Sequence, residues 1–505
     1  MKQYIKTFIV TTLIVFSGCS DLVEEPKSIL APEGFFESYS DVEAAMFGVY
    51  GRMTSDVAWG GEFTQALLLL SDMVDVGNPG AAAQNFEINE FRATPENYYS
   101  AIIWPRAFDI INAANTTIKG ARQVDIEASL KERLEAEARA LRAIAYFTYV
   151  QVFGDMPYFD APVTKVSEAI NVKRTPESEI YARIIEDLEY AFVEGRLPNQ
   201  YEASVRTRVT RGVVATTMAA AYLNMENWQE AYDYAKWVID NKADFGYDLV
   251  DDYQDLFNAA KQDGIAEHVL AVDFLGQQRH SDNDDTMSPL TGVGQVSGSA
   301  GGWSIIVPSM DVYEDWDDRD YRKGVAFDTT VTNANGELVH YTDFPVVKRP
   351  HIAKYNRFVG NNSGSGRRSD FNYPIFRYAE VLLIAAEALN ELSGPTTEAV
   401  GYVNEIRARA RIWPDAVSTF PPDVIAAGQT KDSFRDVILE ERRLELSFEY
   451  KRWFDIKRRG LGEEVFKGAG SLEPQPNFDP NTHYLLPVPQ SEIDINPNII
   501  QNSGY

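Results

Sequence analysis

Cysteine is all but missing from this sequence. Cys19 is the only one in 505 residues, so no intramolecular disulfide can form. Histidine is scarce as well: His268, His280, His340, His351 and His483 show no pairing at helical spacing, which disfavours a zinc site. Beyond the N-terminus no apolar run approaches the ~20 residues that a membrane-spanning helix requires. No phosphate-cradling glycine loop precedes a helix, because Gly292-Val293-Gly294 lacks a following Lys-Ser/Thr pair. A nucleophile elbow is also absent. Basic residues are heavily outnumbered, 47 Lys and Arg against 75 Asp and Glu, for a formal charge of −28. A surface this acidic argues against nucleic acid or an anionic lipid surface as partner. With so many carboxylates some adjacent pair is inevitable, so Glu440-Glu441 does not by itself indicate an acid–base couple.

What is present at the N-terminus is a secretory pattern. Lys2 and Lys6 precede an apolar stretch, Thr7–Phe16, too short to span a bilayer, and Phe16-Ser17-Gly18-Cys19 follows. The pattern resembles a bacterial lipobox with Phe16 in place of the usual leucine. It implies cleavage of residues 1–18 and lipidation of Cys19, with 19–30 as an acidic tether (Ser20-Asp21-Leu22-Val23-Glu24-Glu25). One acyl chain holds a protein to a membrane only marginally, at about 0.8 kcal/mol per buried CH₂, so the two or three chains of a lipoprotein are needed for retention. Acidic residues directly after such a cysteine resemble a surface-export signal.

The full sequence is 45% apolar and rich in aromatics, with 26 Tyr, 27 Phe and 8 Trp, ample for a large core. Leu134, Ala138, Leu141, Ala145 and Val152 fall on one helical face, as do Tyr378, Val381, Leu382, Ala385, Leu389 and Leu392. The same period predicts helices over 41–53, 101–121, 177–194, 210–225, 228–241, 397–411 and 431–458. Gly394-Pro395 marks a helix end and Thr430 a cap. Two helix pairs have tetratricopeptide-like spacing. Ala215, Met218, Ala219 and Tyr222 stand with Ala231, Ala235 and Val238; Leu383 and Ala386 stand with Ala399, Val403 and Ile406, although Glu387 occupies a usually small position. Residues 54–100 and 242–372 lack sustained periodicity and predict loops, with β-like pieces at His268–Phe274 and Leu338–Val347. Acidic clusters at Ser281–Asp285 and Glu314–Asp320 suggest calcium as a cofactor, but neither continues as an EF-hand, and no cofactor is the expectation.

Longer motifs point to a family. Tyr373–Ala388 (YPIFRYAEVLLIAAEA), Glu440–Arg459 (EERRLELSFEYKRWFDIKRR) and Tyr484–Asn498 (YLLPVPQSEIDINPN) resemble the signatures of SusD/RagB proteins. So do Trp104–Asn115, Glu137–Tyr146 and Phe153–Pro157. The resemblance implies a mainly α fold, with four tetratricopeptide-like helix pairs supporting a loop-rich ligand-binding face. It implies one such domain over 31–505, with a large insertion at about 242–372 and the signature region at 373–505. It also implies a lipid-anchored outer-membrane protein facing outward, not an enzyme. Its partner would be a SusC-like TonB-dependent transporter and its ligand a glycan, or an oligopeptide as in RagB.

Function concentrates in variable loops, and a sugar offers an apolar face ringed by hydroxyls. Trp303, Trp59 and Phe86 are therefore the expected aromatic platform, with Asp72, Arg367 and Arg368 as hydrogen-bonding partners at the rim. Trp104 and Trp453, inside signature helices, are expected in the core, and Arg377–Glu380 as an i,i+3 pair. The basic stretch Lys348, Arg349, Lys354, Arg357, Arg367 and Arg368 either favours an anionic ligand or balances local acids; the second reading is preferred.

Overall fold

Amphipathic periodicity and good caps build the helices. The computed structural model describes residues 35–202, 205–276, 285–296, 301–358, 360–361 and 368–505. Helix α1 is Tyr39–Met53, opened by Ser38, whose backbone N–H donates to Asp41 Oδ2 at 2.7 Å. Helix α2, Tyr98–Gln123, is capped by Asn97, and α3, Ala128–Phe153, runs back along it. There follow α4 (Glu177–Phe192), α5 (Arg211–Asn224), α6 (Trp228–Asp240), α7 (Tyr378–Ser393) and α8 (Thr397–Ala410). Each packs on the next, including α6 on α7. The 242–372 segment therefore leaves the helical stack and returns to it. Both predicted hairpins form, α5 with α6 and α7 with α8. Glu387 explains itself: fully buried, it accepts both Arg458 N–H groups at 2.6 and 2.7 Å. Thr430 caps the next helix by accepting from Ser433 N, and Gly394 (φ +75°) closes α7.

Two expectations of helical extent need correction. The 431–458 segment is not one helix but α9, Lys431–Glu445, and α10, Lys451–Arg458. Between them Phe448 and Tyr450 take φ near +60°, a conformation that costs about 1–3 kcal/mol per residue. The reward is Glu449, which reaches Lys354 and Arg377 at 2.8 Å each. Residues 54–100 are not merely loop. They hold helices Gly61–Leu69 and Ala83–Asn89, and the first is buried on nearly every side, so no polar face reveals its period.

A continuous apolar cluster runs from Val42 to Ile499 and includes Trp104 and Trp453, each 1% exposed. Strands are short. His268–Val272 pairs antiparallel with Tyr373–Arg377, and Val74–Val76 pairs with Ile306–Pro308. Only Leu338–His340 of the 338–347 segment is strand. Arg377 does not pair with Glu380. It binds Glu267, Glu445 and Glu449, while Glu380 faces Arg442 and Lys451. Glu440 pairs with Arg443 at i,i+3, as its spacing suggests, whereas Glu441 reaches Arg322 and Arg407.

Candidate functional site

The site grows from the ribbon that joins two distant loop segments. Val74, Asp75 and Val76 face Pro308, Val307 and Ile306, and Gly77 N donates to Ile305 O at 2.9 Å. No side chain fits at Gly77, because a Cβ there would stand 2.6 Å from Val307 Cγ2. Asn78 then turns the chain: its Oδ1 accepts from Gly80 N at 2.8 Å, and its Nδ2 donates to Trp303 O at 2.9 Å. Trp303 is half-buried and packs against the core.

The backbone under Trp303 is pinned. Ser304 has φ +52° and is fully buried. Its Oγ accepts from Gly294 N at 2.8 Å and donates to His351 Nε2, also at 2.8 Å. His351 Nδ1–H donates to Arg349 O at 2.9 Å. Burial pushes His351 down to about 4, so the ring is neutral and this assignment of its single proton is consistent with both partners. Gly302 lies flat on Gly292; a Cβ there would come within 2.2 Å of the Gly292 carbonyl carbon.

Charge sits beside the ribbon. Arg349 donates to Asp75 Oδ2 at 3.0 Å, with 24% and 33% of the two side chains exposed. Glu473 is pushed up to about 7, first by burial and then by Asp75, with Arg349 opposing. Half-buried Trp303 is thus joined to a ribbon that also bears an amide, a guanidinium and two carboxylates. Stacking on the ring and paired hydrogen bonds at the rim are the interactions a polyhydroxylated ring demands.

Of the residues expected from sequence, Trp303 belongs to this assembly. Phe86 is half-buried on the helix Ala83–Asn89, at the far end of the segment that supplies Asp75 and Asn78. Trp59 and Asp72 do not suit the role. Trp59 is wholly buried, its ring 5.9 Å from Tyr149 and 6.4 Å from Phe63, so it offers no face to a ligand. Asp72 is 3% exposed, and Arg452 takes both its oxygens at 2.8 and 2.6 Å. That burial raises its carboxyl, yet Arg452 outweighs it and the net direction is downward. Arg368 is half-buried beside Ser369, whose carbonyl accepts from Gly276 N. Arg367 and Cys19 lie outside the described residues.

Sequence reasoning passed over Asp75, Asn78 and Glu473. The turn word Asn78-Pro79-Gly80 was the available signal for Asn78. The basic stretch balances acids at three positions: Arg349 meets Asp75, Lys354 meets Glu449, and Arg357 meets Asp328. In Glu314–Asp320, Asp315, Asp317, Asp318 and Asp320 each hold an arginine or lysine rather than converging on a cation. Residues 281–284 of the other acidic cluster lie outside the described residues, and its Asp285 accepts from Tyr373 OH at 2.7 Å. No group of three or more metal-ligating side chains occurs among the described residues. Among them, too, no helix is long and apolar enough to cross a membrane.

The model of the SusD family matches residues 347–505, and a second, described as "Starch-binding associating with outer membrane", matches 41–223. SusD-like protein P2 of Formosa agariphila is 43% identical over 515 residues, covering all of both chains. Among solved structures, a SusD homolog from Bacteroides thetaiotaomicron has a TM-score of 0.80 at 21% identity, over 94% of this chain and 98% of that one. A laminarin-binding SusD-like protein has a TM-score of 0.74 at 23% identity, over 93% and 100%.

Proposed function

Because the chain belongs to the SusD family, we propose that it captures glycan chains at the outer face of an outer membrane. From there it passes them to a partner TonB-dependent transporter. The observation that carries the reading is half-buried Trp303, whose carbonyl is held by Asn78 on the ribbon that also bears the Asp75–Arg349 pair. A platform on a pinned loop loses little freedom when a sugar settles on it, which favours affinity without catalysis. Cys19 supplies the lipid anchor in this proposal, and the acidic tether lets the binding face reach outward. The protein then acts as a binding component and not as a hydrolase.

The test uses the chain from Ser20 onward, run through gels containing starch, laminarin, xylan or alginate. Retardation by at least one polysaccharide is expected, with no release of reducing ends. Trp303→Ala should weaken that retardation about tenfold, the effect of removing an aromatic hot spot. Binding of peptide mixtures with no polysaccharide retained would overturn the proposal.

A further inference from the structure

A cleft opens farther along the segment that carries Trp303. Strand Ile306–Pro308 leads directly into the helix Met310–Asp315, and Tyr313 of that helix lines a hollow of about 520 Å³. Trp413, on the hairpin formed by Ile412–Trp413 and Ala416–Val417, also lines it. Asp328, Thr330 and Arg357 complete the lining used below.

Its chemistry differs from a merely solvated groove. Both aromatic residues are half-buried rather than enclosed. Trp413 is held from one side by Tyr321, at 5.2 Å between ring centroids. Tyr313 is fixed at its edge by Phe327, and the Lys323 ammonium lies 4.2 Å from its ring centre. The polar groups are also set in place. Arg357 donates to Asp328 Oδ1 at 2.9 and 3.1 Å, to Gly324 O and to Phe327 O, which fixes the plane of the guanidinium. Those bonds engage one of the two Asp328 oxygens, and Thr330 adds an exposed hydroxyl. Braced aromatic rings and a fixed Asp–Arg pair thus line one hollow. The hollow also falls within the range of about 300–1,000 Å³ usual for small-ligand sites.

We propose that this cleft is a second carbohydrate subsite, in which Trp413 and Tyr313 stack on sugar rings and Asp328, Arg357 and Thr330 bind their hydroxyls. The inference rests on the glycan-binding reading given above. Its consequence is bivalence. Tyr313 follows Trp303 closely in the chain, so at full extension they are at most about 35 Å apart, and one polysaccharide chain can lie across both. A chain held at two points binds more tightly than either point alone, by factors of about 10²–10⁴ where the geometry permits.

The same four polysaccharide gels test it, using Trp303→Ala, Trp413→Ala and Thr330→Trp. The last plugs the mouth of the cleft from an exposed strand position where a bulky aromatic is tolerated, so it spares the packing of Trp413 on Tyr321. Thermal melting checks that each variant is folded. Trp413→Ala and Thr330→Trp should each weaken retardation at least tenfold on every polysaccharide that retains the parent chain. If Trp303→Ala weakens retardation while folded Thr330→Trp leaves it unchanged on all of them, the second subsite is refuted and the glycan reading stands. If the parent chain is retained by none of the four, both fall together.

Discussion

Changing Glu445 to Gln tests whether the interior of this protein is held by charge balance. Glu445 is fully buried and joins Arg322 and Arg377 at 3.1 Å each, as well as Arg409. Through these contacts the described residues form one connected set. Its cations are Arg322, Lys354, Arg377, Arg407 and Arg409, and its anions are Glu267, Asp320, Glu441, Glu445 and Glu449. The two signs are equal in number, so the substitution leaves one positive charge uncompensated in a dry interior. Breaking a buried pair in this way costs about 3–5 kcal/mol. A chain of this size unfolds with roughly 1 kcal/mol per kelvin of entropy, so the melting temperature should fall by about 3–5 °C. Differential scanning calorimetry of the soluble chain measures it directly. The double variant Glu445→Gln/Arg409→Gln restores equal numbers and should recover at least half of the loss. A single-variant drop below about 1 °C, or a double variant as unstable as the two singles summed, would refute the charge-balance reasoning.

Other expectations follow from individual contacts. Asp72→Asn removes a carboxylate that holds Arg452, so it should lower the melting temperature by a few degrees while leaving polysaccharide retardation unchanged; a loss of binding without a loss of stability would return Asp72 to the ligand site. Gly77→Ala forces Val307 away and should loosen the Trp303 loop, weakening retardation in a chain whose circular dichroism is unaltered. For His351 the folded value, about 4, lies below the ordinary 6.5, so its contribution is complete above pH 6.5 and is lost as pH falls toward 4. Between pH 7 and pH 5 the wild type should therefore lose about 2 kcal/mol more than His351→Gln in denaturant titrations; identical losses would show that His351 is not buried as a neutral ring. Cys19→Ala should spare retardation in gels but abolish retention on cells and growth on the polysaccharide; a substituted protein still found at the surface would defeat the anchor proposal.

The sequence by itself determined the helical framework and the family. Periodic faces at Leu134–Val152 and Tyr378–Leu392, with caps at Thr430 and Gly394, are local properties that 3.6-residue geometry makes readable. Trp303, which follows Gly301-Gly302 in a segment without periodicity, stood out in the sequence as a candidate for the same kind of local reason. What only the tertiary structure decided is which residues share a surface and which are covered. Trp59 and Asp72 have the residue types and loop positions of binding groups, yet Tyr149 and Arg452, far away in the chain, close over them. Asp75 and Asn78 gain their place because Val74–Val76 pairs with Ile306–Pro308, and Arg349 arrives from a third segment. The break at Leu446–Tyr450 has the same origin, since Glu449 turns inward only because Lys354 and Arg377 await it. Helix formation is settled within a few turns of chain, whereas burial and ion pairing depend on partners that the sequence holds hundreds of residues apart.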